Sequence, residues 1–387
     1  MPFSGLDYYN VEDLYSDEER QVMQTLRRFV DDEIMPSIGR HFRAGTFDPA
    51  WPRRLGELGA LGASLKGYGC AGLSPVGYGL IMQELERGDS GVRSFASVQG
   101  SLVMYPIFAF GSEAQKDRWL PKMARGEAIG CFGLSEPDFG SNPAGMRCSA
   151  KRVGDKWILN GEKRWITSGS IADVAVVWAK TEDKIRGFLV ERGAKGFSTR
   201  NIEGKFSLRA SVTSELIFED CELPLDAVLP GSSGLRSPLE CLSQARFGIS
   251  FGAIGAAMAC YDEALNYTRE RAQFGKPLAS HQLVQQKLVD MLQAITQAQL
   301  MVWRIGRLKE AGRARPQQIS LCKRNNVKMA LKCARTAREL LGASGITDAY
   351  QCGRHMCNLE SVYTYEGTDH IQTLIVGQDI TGISAFQ

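Results

Sequence analysis

At 387 residues the chain exceeds what one hydrophobic core normally organises, so two or three packed regions sharing an interface are expected, with room to bury a large site. Lysine plus arginine (46) nearly matches aspartate plus glutamate (43), which argues against a dedicated nucleic-acid binder and against an acidic tail. Ten cysteines scattered without a secretory leader predict reduced thiols in a bacterial cytoplasm or, after removal of a transit peptide, a mitochondrial matrix, and no charge-free run is long enough to span a bilayer.

The first section, to about residue 126, is helical by pattern. Ser16-Asp-Glu-Glu supplies a helix start, and Val22, Leu26, Phe29 and Val30 form the apolar stripe behind it. Further amphipathic candidates run over Pro52–Leu61, Ser74–Asp89 and Ser112–Arg125, with glycine and proline punctuating the joins. Between the last two lie Gly88-Asp-Ser-Gly-Val-Arg-Ser-Phe-Ala-Ser-Val-Gln99 and a mainly apolar stretch, Leu102–Phe110. A lone Arg93 beside such sequence stands out; its bland reading is a surface arginine paired with Asp89.

From about residue 127 to 236 the period changes to alternation. Asn160-Gly161 predicts a hairpin turn between Trp157-Ile-Leu and Lys163-Arg-Trp-Ile-Thr167. Ala172–Ala179, Arg186–Glu191 and Ser214–Glu219 read as further strands of a compact sheet or barrel, whereas Ser135-Glu-Pro-Asp-Phe-Gly-Ser-Asn-Pro143 cannot be regular. Beyond the connection Leu223–Pro238, long helical patterns return over Leu239–Glu270, Gln282–Ala311 and Pro316–Leu341. Arg271-Ala-Gln-Phe-Gly-Lys-Pro277 interrupts the first two, and Gly342-Ala-Ser-Gly345 closes the third.

In the last stretch, Met356, Leu359, Val362 and Tyr363 recur at helical spacing, and the pattern restarts at Ile371, Leu374 and Ile375. Gly367 suits a helix end and Thr368 an N-cap, so Glu366 is the misfit at this junction. A carboxylate in the last turn of a helix faces the negative end of the macrodipole, and apolar neighbours desolvate it; both raise its pKa and suit it to act as a general base. The alternative is a solvated glutamate at an ordinary helix–helix turn. Cys352, His355 and Cys357 do not match common zinc spacings, so no metal is expected.

Taken together these pieces resemble the acyl-CoA dehydrogenase family over essentially the whole chain. The markers are Cys131-Phe-Gly-Leu-Ser-Glu-Pro-Asp-Phe-Gly-Ser141, Trp165-Ile-Thr167, Arg271-Ala-Gln-Phe-Gly-Lys-Pro277 and Tyr365-Glu-Gly-Thr368, in that order. The resemblance implies an α+β fold with an N-terminal helical domain (1–126), a middle β domain (127–236) and a C-terminal helical bundle (237–387). It implies FAD as cofactor, an acyl-CoA substrate, an electron-transfer flavoprotein as acceptor and a homotetramer, with no nucleic acid and no membrane span. Phe132, Leu134, Ser135, Gly140, Ser141, Trp165, Ile166 and Thr167 match flavin contacts, as do Thr368, Asp369 and His370. Arg271, Phe274 and Gln282 match positions that reach FAD from a neighbouring subunit, and Glu339, Gly342 and Ala343 match a segment near its pyrophosphate. Gly342-Ala-Ser-Gly345 departs here from the family's more usual Gly-Gly-Asn-Gly, and a Cβ at Ala343 disfavours positive φ.

Within the family the resemblance is closest to the glutaryl-CoA dehydrogenases, through Leu85-Glu-Arg87, Ser90-Gly-Val-Arg-Ser94, Ser97-Val-Gln99, Gly204-Lys-Phe-Ser-Leu-Arg-Ala-Ser211, Lys323-Arg-Asn-Asn326 and Thr364-Tyr-Glu-Gly-Thr368. It implies that Arg93 and Ser97 meet a distal substrate carboxylate, ideally in bidentate geometry, with Glu86 and Tyr365 beside them. Ser94, Ser141, Leu239, Arg246, Gly367 and Phe386 match further substrate-side positions, and Val92 replaces an aromatic of some relatives. The implied reaction is removal of an α-proton by Glu366 and of a β-hydride by the flavin, followed by loss of CO2 to give crotonyl-CoA. Its alternatives are a non-decarboxylating or short-chain acyl-CoA dehydrogenase, a DNA-associated protein of the same fold, and a flavin-free scaffold.

Overall fold

The computed structural model describes residue 3 and residues 5–386. Helix α1 (Asp17–Phe29) starts on the expected capping box: Ser16 Oγ accepts from the Glu19 N–H at 3.2 Å while the Glu19 carboxylate accepts from the Ser16 N–H at 2.9 Å. Buried Glu19 also accepts from Ser74 at 2.6 Å and from Arg307 at 2.6 Å, which ties the first helix to elements far along the chain. After α2 (Met35–Ala44), helix α3 (Trp51–Glu57) stops four residues short of the expected Leu61, because the Ala60 N–H reaches back to the Leu55 carbonyl at 2.9 Å and reverses the chain. Helices α4 (Pro75–Gly88) and α5 (Ser90–Ser97) meet at Asp89, whose carboxylate caps α5 by accepting from the Gly91 N–H at 2.6 Å. A π-helical turn (Val98–Met104) leads into α6 (Tyr105–Phe110) and then α7 (Glu113–Ala124).

The middle section is one seven-stranded sheet of order β1-β4-β2-β3-β7-β6, with β5 on the other edge of β4. Its strands are β1 (Gly130–Gly133), β2 (Ser149–Val153), β3 (Lys156–Thr167), β4 (Val174–Lys180), β5 (Ile185–Glu191), β6 (Phe197–Asn201) and β7 (Thr213–Pro224). The hairpin expected at Asn160-Gly161 is absent: β3 runs straight through these residues, and the two-residue turn falls at Gly154-Asp155, between Val153 and its partner Lys156. Asn160-Gly161 is instead an irregularity in the β3–β7 register, held by Asn160 Nδ2 donating to Asp220 at 3.0 Å. Gly161 has φ 129° and sits so close to β2 that a Cβ would come within 2.8 Å of Cys148 Cα, so a turn-forming dipeptide serves here as a bulge.

The C-terminal section is α8 (Arg236–Glu270), a small ribbon of β8 (Ala272–Gln273) and β9 (Lys276–Pro277), then α9 (Gln282–Glu310), α10 (Pro316–Leu340), α11 (Cys352–Thr364) and α12 (Asp369–Thr381). With helices at both ends and the sheet between, the fold is α+β. Helix α4 is buried along nearly its whole length against α1 and α8. Gly252 on α8 faces it, and a Cβ there would collide with Glu86 Oε2, so the absent side chain is what lets a carboxylate lie between two core helices. Among the described residues no helix is long and apolar enough to cross a membrane.

Candidate active site

Arg93 and Tyr365, 272 positions apart in sequence, are joined where α5 faces the α11–α12 junction. Arg93 is fully buried. Its Nε donates to Glu86 Oε2 on α4 at 2.7 Å, its Nη2 donates to Tyr365 Oη, and the Tyr365 ring lies 5.5 Å from the guanidinium carbon. Ser94 Oγ lies 3.4 Å from the same hydroxyl. The surface pair with Asp89 does not form: Asp89 accepts from Arg354 Nη1 at 2.7 Å and Asn358 Nδ2 at 2.8 Å.

Four buried polar atoms at this place have no protein partner: Arg93 Nη1, Glu86 Oε1, Ser97 Oγ and Glu366 Oε2. Each unsatisfied group costs about 1–3 kcal/mol, so their concentration around one arginine marks a socket whose missing partner is a polar ligand. The guanidinium offers Nη1 as its unpartnered nitrogen, because Glu86 and Tyr365 engage the other two; this is less than the full bidentate fork expected from sequence.

Glu366 lies beyond the last turn of α11, not within it. Helix α11 ends at Thr364, and Glu366 takes the left-handed region at φ 51°, so the macrodipole argument gives way to burial as the cause of its perturbation. The residue is half-buried, but Oε2 is sealed from solvent. Burial raises its pKa above the usual carboxylate range, Arg93, Lys323 and Arg246 oppose that rise, and Glu86 adds to it. The Glu366 carbonyl accepts from buried Arg246 Nε at 2.8 Å, which brings that residue to the site, and Gly367 follows at φ 89°. Thr368 is the expected N-cap, its hydroxyl accepting from the Ile371 N–H at 3.2 Å. Asp369 is buried beside Lys328 at 2.9 Å and Arg324 at 3.6 Å, while His370 is exposed.

A second group surrounds the end of β1. The Arg164 N–H donates to the Ser135 carbonyl at 2.9 Å and buried Lys163 donates to the Leu134 carbonyl at 3.1 Å, which ties the segment Phe132–Ser135 to the end of β3, where Trp165, Ile166 and Thr167 follow. Ile166 is buried, yet Trp165 has φ 65° and is 57 % exposed, aimed outward by the register shift between Lys163 and Ile166. An exposed indole beside a loop carrying exposed Gly140 and Ser141 fits one face of a planar cofactor.

Arg271, Phe274, Gln282, Glu339, Gly342 and Ala343 form a third group, all exposed, at the opposite end of the long helices; Phe274 is 94 % exposed. Ala343 meets no conformational penalty, since the left-handed residue of its segment is Gly342, at φ 57°. Leu239 is 38 % exposed near the start of α8. Phe386 stands outside the buried cluster, 42 % exposed in the tail after α12, where its N–H is held by Ser384 Oγ at 3.3 Å. Cys352 and His355 are buried side by side with α11's core face, and among the described residues no group of three metal-ligating side chains converges.

Lys323 of α10 escaped the sequence reading as a site residue. It is buried and donates to the carbonyls of Tyr365 at 2.8 Å and Gly367 at 2.7 Å. The signal was present: Lys323 lies on the stripe of Ile319, Cys322, Asn326, Val327 and Ala330, where an amphipathic helix puts its core face.

The chain matches the models of the acyl-CoA dehydrogenase N-terminal domain over residues 16–127, middle domain over 131–221 and C-terminal domain over 232–381. It is similar to two crystal structures of glutaryl-CoA dehydrogenase from Mycobacterium smegmatis: one in complex with FADH2, at 52 % identity and TM-score 0.98 over 99 % of both chains, the other at 55 % identity and TM-score 0.96 over 97 % of both. Among curated proteins it is 34 % identical to human mitochondrial short-chain specific acyl-CoA dehydrogenase over 377 residues, 95 % of this chain and 91 % of that one. The markers around Phe132, Trp165, Arg271 and Glu366 thus sit in a fold and a sequence matched from end to end, and the chain belongs to the acyl-CoA dehydrogenase family.

Proposed function

We propose that this protein is an FAD-dependent dehydrogenase of glutaryl-CoA that carries its product through decarboxylation to crotonyl-CoA and CO2. The observation that carries the substrate reading is the fully buried Arg93, whose Nη1 has no partner and so calls for an anion at the inner end of the socket. A thioester with a carboxylate at the far end of a short chain supplies that anion; a simple short-chain thioester leaves the guanidinium nitrogen unsatisfied. The likeness to the Mycobacterium smegmatis glutaryl-CoA dehydrogenases supports the same choice.

Glu366, freed from solvation at Oε2, takes the α-proton, and its own amide N–H faces the enolate-like charge on the thioester oxygen. Bound FAD supplies the acceptor for the β-hydride. Trp165 and the Ser135 loop fit the wall against which a flavin lies. The distal carboxylate is carried by the carbon γ to the thioester, and the new α,β double bond lets electrons from Cγ–CO2 cleavage pass into the thioester as a dienolate while CO2 leaves. Protonated Glu366 returns its proton to the γ-carbon. Glu86 and Tyr365 support this second step by already engaging Arg93, so that the substrate carboxylate is oriented without the full ionic grip that would hold it back.

The exposed group at Arg271, Phe274 and Gln282 supports a homotetramer in which these residues reach a neighbour's cofactor, and family membership supports an electron-transfer flavoprotein as acceptor. Anaerobic mixing of the flavin-loaded protein with glutaryl-CoA tests the whole reading: the flavin bleaches and mass spectrometry finds crotonyl-CoA with one CO2 per flavin reduced. Accumulation of glutaconyl-CoA without CO2 sinks decarboxylation alone, and bleaching by butyryl-CoA but not by glutaryl-CoA sinks the substrate assignment.

A further inference from the structure

We propose that Lys323 is a positioning residue of the dehydrogenation step, clamping the Tyr365–Glu366 and Gly367–Thr368 peptide planes so that the Glu366 amide and carboxylate both face the substrate thioester. This rests on Glu366 being the base. The Lys323 ammonium is buried and bonds the carbonyls of Tyr365 and Gly367, one on each side of Glu366. A trans peptide is planar, so the bond that fixes the Tyr365 carbonyl also fixes the N–H of Glu366, which points the opposite way from the same plane. Among the described residues that N–H has no acceptor, which leaves it for a ligand oxygen. A cation on the carbonyl edge also polarises the peptide and strengthens its N–H as a donor.

The rest of the junction is held in the same manner. Arg246 Nε and Gln372 Nε2 donate to the Glu366 carbonyl at 2.8 and 3.2 Å, and Gln372 also reaches the Gly367 carbonyl at 3.0 Å. Three successive carbonyls are thereby turned toward protein donors, which sustains the left-handed backbone at Glu366, a conformation that costs a non-glycine residue about 1–3 kcal/mol. Around the ammonium lie Glu366 and Asp369 from the junction and α12, Arg246 from α8, Arg93 from α5, and the Tyr365 ring at 5.9 Å. Burial lowers the Lys323 pKa, Glu366 and Asp369 oppose the fall, Arg246 and Arg93 add to it, and the balance brings it to about 7. Asp369 is ion-paired with Lys328 and Arg324, so among the described residues Glu366 is the carboxylate facing Lys323 that has no ion pair of its own.

The test compares Lys323→Met and Lys323→Arg in the full-length, flavin-loaded protein. The probe is an acyl-CoA with sulfur in place of the β-carbon, which can lose its α-proton to Glu366 but cannot give up a hydride; enolate formation beside the flavin is read as a long-wavelength absorption band against pH. Lys323→Met is expected to raise the midpoint of that band by about one pH unit or more, because a cation favouring both the carboxylate and the enolate is gone. Its kcat falls roughly 30-fold or more on glutaryl-CoA and butyryl-CoA alike, with KM within about threefold, and Lys323→Arg recovers most of the loss. If Lys323→Met loses its flavin, Lys323→Gln is read in its place with the same expectations. An unshifted midpoint, a loss confined to Tm or KM, or an arginine variant as slow as the methionine one while both hold flavin overturns the clamp. Formation of the band by Glu366→Gln overturns the base itself and the premise with it, whereas an unshifted Lys323→Met midpoint where Glu366→Gln abolishes the band overturns the clamp alone.

Discussion

The socket around Arg93 and Glu366 and the exposed belt at Arg271, Phe274, Gln282 and Glu339 are incomplete in opposite ways. In the socket the protein has removed four polar atoms from water and given them no partner, a debt that a ligand of matching polarity settles from inside one chain. In the belt nothing is desolvated; Phe274 stands 94 % exposed among solvated polar and charged side chains, and it is this apolar ring whose covering lowers the free energy. Arg246 on α8 and Arg271, which directly follows the last residue of that helix, are 25 residues apart and so about 37 Å along its axis, too far for both to serve one flavin ring in one protomer. The difference teaches that the socket is complete but for a ligand held inside one chain, whereas the belt is finished only by whatever comes to lie on it.

Removing the base is the largest way to break the socket. Glu366→Gln keeps the shape of the side chain and loses its proton affinity, so stopped-flow bleaching with glutaryl-CoA should slow by roughly 10³-fold or more while acyl-CoA binding persists. Rapid bleaching in this variant would falsify its role. Next is the anion site: Arg93→Met should lower kcat/KM for glutaryl-CoA by roughly 100-fold, from the loss of a desolvated pair worth about 2–5 kcal/mol, and spare butyryl-CoA. Equal losses on the two substrates would make Arg93 structural. The belt answers to a different measurement. Arg271→Ala should weaken flavin retention about tenfold, as one charge-assisted hydrogen bond is lost, and leave the glutaryl-to-butyryl ratio unchanged; a change in that ratio would put Arg271 in the socket.

How much of this was legible beforehand differs between the same two regions. The capping box at Ser16 and Glu19, the long helices α8, α9 and α10, and the N-cap at Thr368 follow from local chemistry and were readable residue by residue. Arg93 stood out because a lone cation in apolar sequence is conspicuous. Its partner Tyr365 did not follow from local chemistry, since only the packing of α5 on the α11–α12 junction brings residues 272 apart together, and the resemblance alone pointed there. Asn160-Gly161 misled because positive φ at glycine serves a bulge as well as a turn, and β7 alongside decided between them. Glu366 was placed in a helix that ends two residues earlier, since the three carbonyls that stabilise its left-handed backbone are bonded by Lys323, Arg246 and Gln372 from other elements. The belt was visible only as family markers, because an exposed arginine or glutamine carries no physical signal of its own.

The smallest expected effect separates socket from belt most cleanly, because it is a shift along the pH axis and not a loss of rate. Burial raises the Glu366 pKa, so with falling pH the carboxylate protonates earlier than an exposed glutamate, and the acidic limb of the bleaching rate lies above the ordinary carboxylate range. Arg93, Lys323 and Arg246 each favour the ionised form and hold that limb down. Removing one of them therefore moves the limb to higher pH: Arg93→Met, measured with butyryl-CoA so that no substrate carboxylate enters the balance, should show a limb displaced upward by a fraction of a unit to about one unit. Arg271→Ala, remote along α8, should leave it where it is in the parent protein. A limb that moves equally in both variants would mean that the titrating group is not Glu366 but one whose surroundings both ends of the long helices control.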